Sequence, residues 1–208
     1  VFGIVASCLL ILSCDDASKQ EMTITTVAKP SVAQTNTNYV SNRAPLAPSA
    51  LIKLPLGAIK PGSWLKESLQ RQADGLMGNL GEISAWLQKD DNAWLSDDGT
   101  GAWGWEEVPY WLKGYANTGY ILQDSSMIKE SQIWFEAALK SQREDGNFGP
   151  KMFSDRDGSQ DFWSNMIMLY CLQSYYEATK DERVIDLMTK YFKYQNSVPD
   201  DKMLSGIH

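Results

Sequence analysis

Phe162-Trp163-Ser164-Asn165-Met166-Ile167-Met168-Leu169-Tyr170-Cys171-Leu172 carries no charged side chain and is apolar almost all the way round a helix. A helix of that kind is buried on most sides. Upstream, Ser126 to Gln142 also repeats at helical spacing, but there Lys129, Glu130, Gln132, Glu136 and Lys140 stand opposite Ile128, Phe135 and Leu139. That is one wet face and one dry face, the pattern of a helix on the outside of a domain. The contrast predicts inner helices alternating with outer ones.

Working outward, four long helical patterns are expected at about 106–122, 126–142, 161–178 and 182–196, and almost nothing alternates with the two-residue period of a strand. They form two hairpins, the second repeating the first 57 residues later: Asp124 matches Asp181, Ile128 matches Ile185, and Trp134-Phe135 match Tyr191-Phe192. A repeat of that size is one supersecondary unit stacked on its neighbour. Before them, Pro61-Gly62-Ser63-Trp64 opens a helical spacing through Leu65, Leu69, Leu76 and Leu80, with Gly62 or Ser63 as the cap, and a short helix is expected over Glu82 to Gln88. The fold class expected is all-α, a partial α/α toroid of inner and outer hairpins.

Inner helices are followed by tight turns, Gln123-Asp124-Ser125 and Thr179-Lys180-Asp181, and preceded by long loops at about Asp91 to Trp105 and Arg143 to Gln160. Long loops within a compact domain tend to carry function. These two share one end and hold Trp94, Trp103, Trp105, Phe148 and Phe153 among Asp97, Asp98, Asp155, Asp157 and Asp161. Flat aromatic faces beside carboxylates suit sugars, which offer a C–H face for stacking and hydroxyls for fixed acceptors. Glu106 and Glu107 open an inner helix, where the dipole favours negative charge and where a carboxylate faces the cleft. Dipole stabilisation alone also accounts for such a pair. Asp161 opens the next inner helix, as a capping residue or as a cleft ligand.

The remaining chemistry is limited by what the chain lacks. Of 208 residues, 26 are acidic and 19 basic, for a net charge of -7 without a Lys/Arg cluster, so a nucleic-acid partner is not expected. The single histidine, His208, leaves no material for a histidine-based triad or a His-rich metal site. Asp155 to Asp161 has a glycine too early for a calcium loop and Met166 where the closing glutamate belongs, so no metal is expected there. Cys171 and the aromatic run Tyr175, Tyr176, Tyr191, Phe192 and Tyr194 read as core.

The flanks carry a different signal. Val1 to Leu12 is an apolar run too short for a bilayer span, which needs about 20 residues, but suited to a signal core. It ends on Ile11-Leu12-Ser13-Cys14, which resembles the lipobox of bacterial lipoproteins, with Cys14 as the lipidated residue. We expect residues 1–14 to be a lipoprotein signal region, 15–50 a polar tether and 51–208 the globular part. The expected location is exported and membrane-anchored through the lipid alone, periplasmic or at the cell surface. Val1 in place of an initiating Met, and a new segment barely begun at Met203-Leu204-Ser205-Gly206, are read as truncation at both ends.

Gly104-Trp105-Glu106-Glu107-Val108-Pro109-Tyr110-Trp111-Leu112-Lys113-Gly114-Tyr115, followed by Ser141-Gln142-Arg143-Glu144-Asp145-Gly146-Asn147-Phe148-Gly149-Pro150, resembles glycoside hydrolase family 127, the β-L-arabinofuranosidase-like proteins. Pro55 to Leu65 is similar to that family's N-terminal approach to the barrel, and Asp161 to Met166 to its next inner helix, where some members carry a histidine. The resemblance covers about Leu54 to Met203. It implies an α/α toroid with catalysis in the barrel mouth and a glycan as substrate. It also implies a cysteine nucleophile in a zinc site of cysteines and a glutamate, plus a separate acid/base glutamate, at positions C-terminal to this chain. Catalytic residues are therefore expected outside it, no cofactor within it, and zinc only in a full-length protein.

Within the chain, Trp105, Glu106, Glu107, Trp111, Asp161, Trp163 and Asn165 are the expected substrate-binding residues. The expected activity is hydrolysis of terminal glycosidic bonds by the full-length product, with this chain inactive alone. The alternative is a non-catalytic glycan-binding lipoprotein on the same toroid. A toroidal polysaccharide lyase ranks last, since it wants a Tyr/His or Arg pair in the cleft.

Overall fold

The computed structural model describes residues 26–28, 42, 44–47, 49, 51–151 and 159–203. The expected lipidation site Cys14 with the rest of the expected signal region 1–14, most of the expected tether 15–50, and Phe153, Asp155, Asp157 and His208 lie outside the described residues.

Among the described residues the regular elements are six α-helices: α1 (Ser63–Asp74), α2 (Leu76–Ile83), α3 (Glu107–Leu122), α4 (Ser125–Lys140), α5 (Trp163–Thr179) and α6 (Arg183–Ser197). Short 3-10 turns stand at Ala85–Leu87 and Asp200–Lys202, and extended pairing is confined to isolated bridges. The fold is all-α, and its four long helices fall within two residues of the ranges read from periodicity.

The N-terminal part departs from expectation. The pattern from Trp64 to Leu80 is broken at Gly75, whose φ of -96° and ψ of -149° stop one helix and start another. Glycine loses most on entering a helix, and the Asn79 side-chain amide reaches back to the Asp74 carbonyl at 3.0 Å and to the Gly75 carbonyl at 2.8 Å, which also accepts from the Asn79 backbone amide. Leu76 then belongs to α2, and the helix expected over Glu82 to Gln88 shrinks to the turn at Ala85–Leu87.

The two hairpins repeat each other in backbone detail. Gln123 (φ 59°, ψ 36°) ends α3 and Lys180 (φ 61°, ψ 31°) ends α5, both left-handed without being glycine. Such a residue costs about 1–2 kcal/mol, which the paired helices must offset. Asp124 then caps α4, accepting from the amides of Ser126 and Met127, while Asp181 accepts from the amide of Arg183. Gly119 lets α3 and α4 cross closely, since a Cβ there would lie 2.8 Å from that of Met127.

Inner α3 packs against both α4 and α5. Val108, Leu112, Ala116, Met168, Cys171 and Leu172 from the inner helices meet Phe135, Ala138, Val184 and Leu187 from the outer ones. Phe135 stacks on Tyr175 at 4.5 Å, and Trp134 meets Trp111 edge-on at 6.1 Å. Outside this core, Arg183 of α6 bridges Glu136 of α4 and its own Asp181.

Both ends of the inner helices are covered differently. At the N-terminal end the two long loops dock on each other through Lys151 N to Gly99 O at 2.7 Å. At the other end Lys53–Leu56 crosses beneath α5, where the Glu177 carboxylate accepts from the Leu56 amide at 2.7 Å and from Lys53 Nζ at 2.9 Å.

Candidate functional site

Where α3 and α5 begin, the mouth is assembled from Glu106, Glu107, Asp161 and Trp163. Glu106 is the residue preceding α3, Glu107 its first, and Trp163 the first of α5. The Trp163 indole N–H donates to Oε2 of Glu106, which ties the two inner helices together at their openings. Trp163 is 41% exposed, so its ring still presents area to solvent. Asp161 is buried and its Oδ1 accepts from the Trp163 amide at 2.9 Å, fixing the start of α5. Oε2 of Glu107 is buried and meets no donor among the described residues. A buried carboxylate oxygen without a donor is costly, and a hydroxyl brought to it would relieve that cost.

Two of the expected residues, Trp111 and Asn165, are engaged elsewhere. Trp111 lies five residues after Glu106, more than a third of a turn round the helix, and points into the core. It is 8% exposed, packs on Tyr115 at 4.5 Å and donates to the Met77 carbonyl at 3.1 Å. Asn165 is buried and donates to the Phe148 carbonyl at 2.8 Å, holding the second long loop down. Trp105 is half-buried beside the mouth, and its carbonyl accepts from the Trp94 indole at 2.8 Å.

The loop aromatics also depart from expectation. Trp94 and Phe148 are fully buried, 6.1 Å apart, with Gly149 against the Trp94 ring. They close the core under the mouth instead of lining it, because two loops that bond to each other bury large side chains between them as helices do. Trp103 stands edge-on to Trp86 at 5.4 Å. Asp98 is spent within its turn, accepting from Ser96 and Thr100, and Asp97 borders a shallow groove with Glu136 and Lys140 of α4.

Two residues absent from the expected set stand below the mouth. Lys113 Nζ lies 4.8 Å from the centroid of the Tyr170 ring. Each is seven residues along its helix from Glu106 or Trp163, and Lys113 and Tyr170 are themselves related by the 57-residue repeat. A signal was present: seven residues is close to two turns, so that spacing keeps one helix face. A further seven residues on stand Tyr120 and Glu177, where burial pushes the Tyr120 hydroxyl up to about 12 and the Lys53–Leu56 segment forms a floor. A groove of about 600 Å³ starts at Asp161 and Trp163 and passes Met166, Tyr170 and Gln173 between α5 and α6.

No group of three or more His, Cys, Asp or Glu stands together among the described residues. The Cys171 thiol is held against the Pro109 and Ile167 carbonyls, and burial pushes it up to about 12. A nucleophilic or zinc-binding cysteine must be a thiolate, so Cys171 does not fit either role.

A family model described as beta-L-arabinofuranosidase, GH127 catalytic domain, matches residues 30–205. No match was found among curated proteins or among solved structures.

Proposed function

The chain belongs to the GH127 β-L-arabinofuranosidase family, and on that premise we propose that it forms the sugar-receiving mouth of an α/α-toroid glycoside hydrolase that cleaves terminal glycosidic bonds. Membership supports a glycoside hydrolase of the β-L-arabinofuranosidase type and a glycan substrate. The observation that carries the finer reading is the Glu106–Trp163 hydrogen bond at the openings of consecutive inner helices.

In this reading Trp163 offers its exposed ring to the C–H face of a sugar, and Glu106, oriented by the indole, accepts from a ring hydroxyl. The Glu107 oxygen takes a second hydroxyl, while Asp161 holds Trp163 in place through its amide. Trp105 contributes from the rim. Trp111 and Asn165 act behind the surface by keeping α3 and the second loop in register. These groups bind and orient the sugar.

The test is titration of L-arabinose and p-nitrophenyl L-arabinofuranosides into the protein, with p-nitrophenol release followed in parallel. Uptake that Trp163→Ala weakens about tenfold or more supports the mouth. Uptake of none of these sugars, or wild-type affinity in both the Trp163→Ala and Glu106→Gln variants, refutes it. Binding without hydrolysis by the full-length product selects the alternative, a glycan-binding protein on the same toroid.

The apolar run before Ser13-Cys14 supports a second part of the proposal, export and lipid anchoring through Cys14. Incorporation of labelled palmitate that Cys14→Ser abolishes is the expected result, and equal labelling of both forms excludes the anchor.

A further inference from the structure

We propose that the approach to α1, residues 51–66, is a membrane-surface contact, which lays apolar side chains and lysines on a bilayer of anionic headgroups at the end of the domain opposite the mouth. The contact is separate from a lipid on Cys14 and so departs from the expectation of attachment through the lipid alone. It does not depend on the sugar-binding reading of the mouth.

The charge of the chain is divided. From Met22 to Lys66 there are five basic residues, Lys29, Arg43, Lys53, Lys60 and Lys66, and no acidic one, whereas residues 67–208 hold 13 basic and 23 acidic. Spread over 45 residues the five form no cluster, yet the net charge of -7 conceals a positive leading part. Attraction to anionic headgroups grows with the number of basic residues that reach them and is opposed by acidic neighbours. Lys53 is committed to Glu177, while Lys60 and Lys66 form no ion pair among the described residues.

Apolar side chains are exposed along the same stretch. Leu51, Leu54, Ile59, Trp64 and Leu65 all face solvent, Trp64 at 73%. Single exposed apolar residues are ordinary, but five within 15 residues, interleaved with lysine and free of any carboxylate, form a surface that water does not favour. The helix that follows does not cover them: α1 has no buried residue, and it is Ala73, near its end, that packs on the core. An indole sits well at headgroup depth, and a lysine stem lies along apolar surface while its ammonium meets phosphate. A soluble polyanion would neutralise the lysines and leave the Leu, Ile and Trp surfaces wet, which favours a bilayer over an acidic glycan. No described helix is long and apolar enough to cross a membrane, so the contact is with the surface.

The stretch lies at the floor of the domain. Lys53–Leu56 is fastened beneath α5 at Glu177, and α1 begins seven residues after Leu56. From there the chain runs back towards the mouth, since the carbonyl of Met77, just past the end of α1, accepts from the Trp111 indole near the start of α3. The 12 residues of α1 span roughly 18 Å at 1.5 Å per residue, which sets Trp64 at the floor end. With that end on the bilayer, the mouth opens away from it.

The test uses the full chain as Cys14→Ser, which removes the lipidation site, on vesicles of brominated phosphatidylcholine with and without phosphatidylglycerol. Bromine on the acyl chains quenches an indole that enters the interface, and the quenching lost in Trp64→Phe isolates Trp64 from the other tryptophans. The apolar run Val1 to Leu12 is common to all variants, so the readout is the quenching of Trp64 and not binding as such. On phosphatidylglycerol vesicles Trp64→Phe is expected to lose most of the quenching. Lys60→Gln combined with Lys66→Gln, or added salt, is expected to cut it about twofold or more, with circular dichroism unchanged. No quenching, equal quenching in Trp64→Phe, or equal quenching by neutral and anionic vesicles overturns the contact. Retention on polygalacturonate without quenching on vesicles also overturns it and makes the partner a soluble polyanion.

Discussion

Trp163 donates its indole N–H to Glu106 across 57 residues of sequence, the length of one structural repeat, so the bonded residues occupy the same place in consecutive inner helices. Like positions in neighbouring repeats thus carry unlike groups that complement each other. A repeat that packs by its buried face is free to diversify the face it leaves open, and the mouth is built from that freedom.

Because that pair stands at the surface, Glu106→Gln is expected to change unfolding free energy by no more than about 0.5 kcal/mol while lowering sugar affinity several-fold. Urea denaturation and titration on the same variant measure both. A loss of more than about 2 kcal/mol with affinity intact would make the bond a structural tie between helices and nothing more.

Gly149→Ala is expected to destabilise the protein by about 1–3 kcal/mol. Gly149 has φ 73°, and a Cβ there would stand 2.6 Å from the buried Trp94 ring. Neither the left-handed backbone nor the ring can give way cheaply. Equal urea midpoints for variant and wild type would show that the two long loops are not locked together as described.

Acid should weaken the bridge between the outer helices. Hydrogen bonds from Arg183 hold the Asp181 carboxyl down at about 2, below its ordinary 3.8, and hold Glu136 low as well. A folded value below the unfolded one means stability that is present above pH 4 or so and is lost as pH falls towards 2. Asp181→Asn should therefore lower the melting temperature at pH 6 and make little difference near pH 2. Since Arg183 is half exposed, added salt should shrink the effect at pH 6. A melting difference that stays constant from pH 6 to pH 2 would count against the ion pair.

Glu177→Ala is expected to release the segment beneath α5. Removing the carboxylate leaves the Leu56 amide without its acceptor, a loss of roughly 1–3 kcal/mol. Limited proteolysis should then cut between residues 51 and 61 faster than in the wild type, with the helices still protected. Unchanged cleavage would mean the segment is held by other contacts.

Much of the fold was legible because its signals are local. The bare apolar face of Phe162 to Leu172, the charged face of Ser126 to Gln142 and the tight turns before Asp124 and Asp181 are each properties of one short stretch. The break at Gly75 was less so: the apolar spacing runs straight through it, and the deciding contribution is the Asn79 side chain reaching back from the next turn. Glu106, Glu107, Asp161 and Trp163 stand together because each lies at or beside the start of an inner helix, a position that the sequence pattern marks. Trp94 and Phe148 were misplaced because their burial depends on two loops more than fifty residues apart closing on each other. The contact of Lys113 with Tyr170 is visible in neither stretch alone and appears only when the hairpins are superposed on the repeat.

The contact between Leu56 and Glu177 spans 121 residues, which gives it a place in time as well as in space. A ribosome adding 5–20 residues per second needs roughly 6–24 s to pass from one partner to the other. Through that interval both hairpins can be nucleated by their own turns, while Lys53–Leu56 has no acceptor to dock on. The segment that is made first is therefore fastened last, and it closes the foot of the inner helices only after α5 has been synthesised.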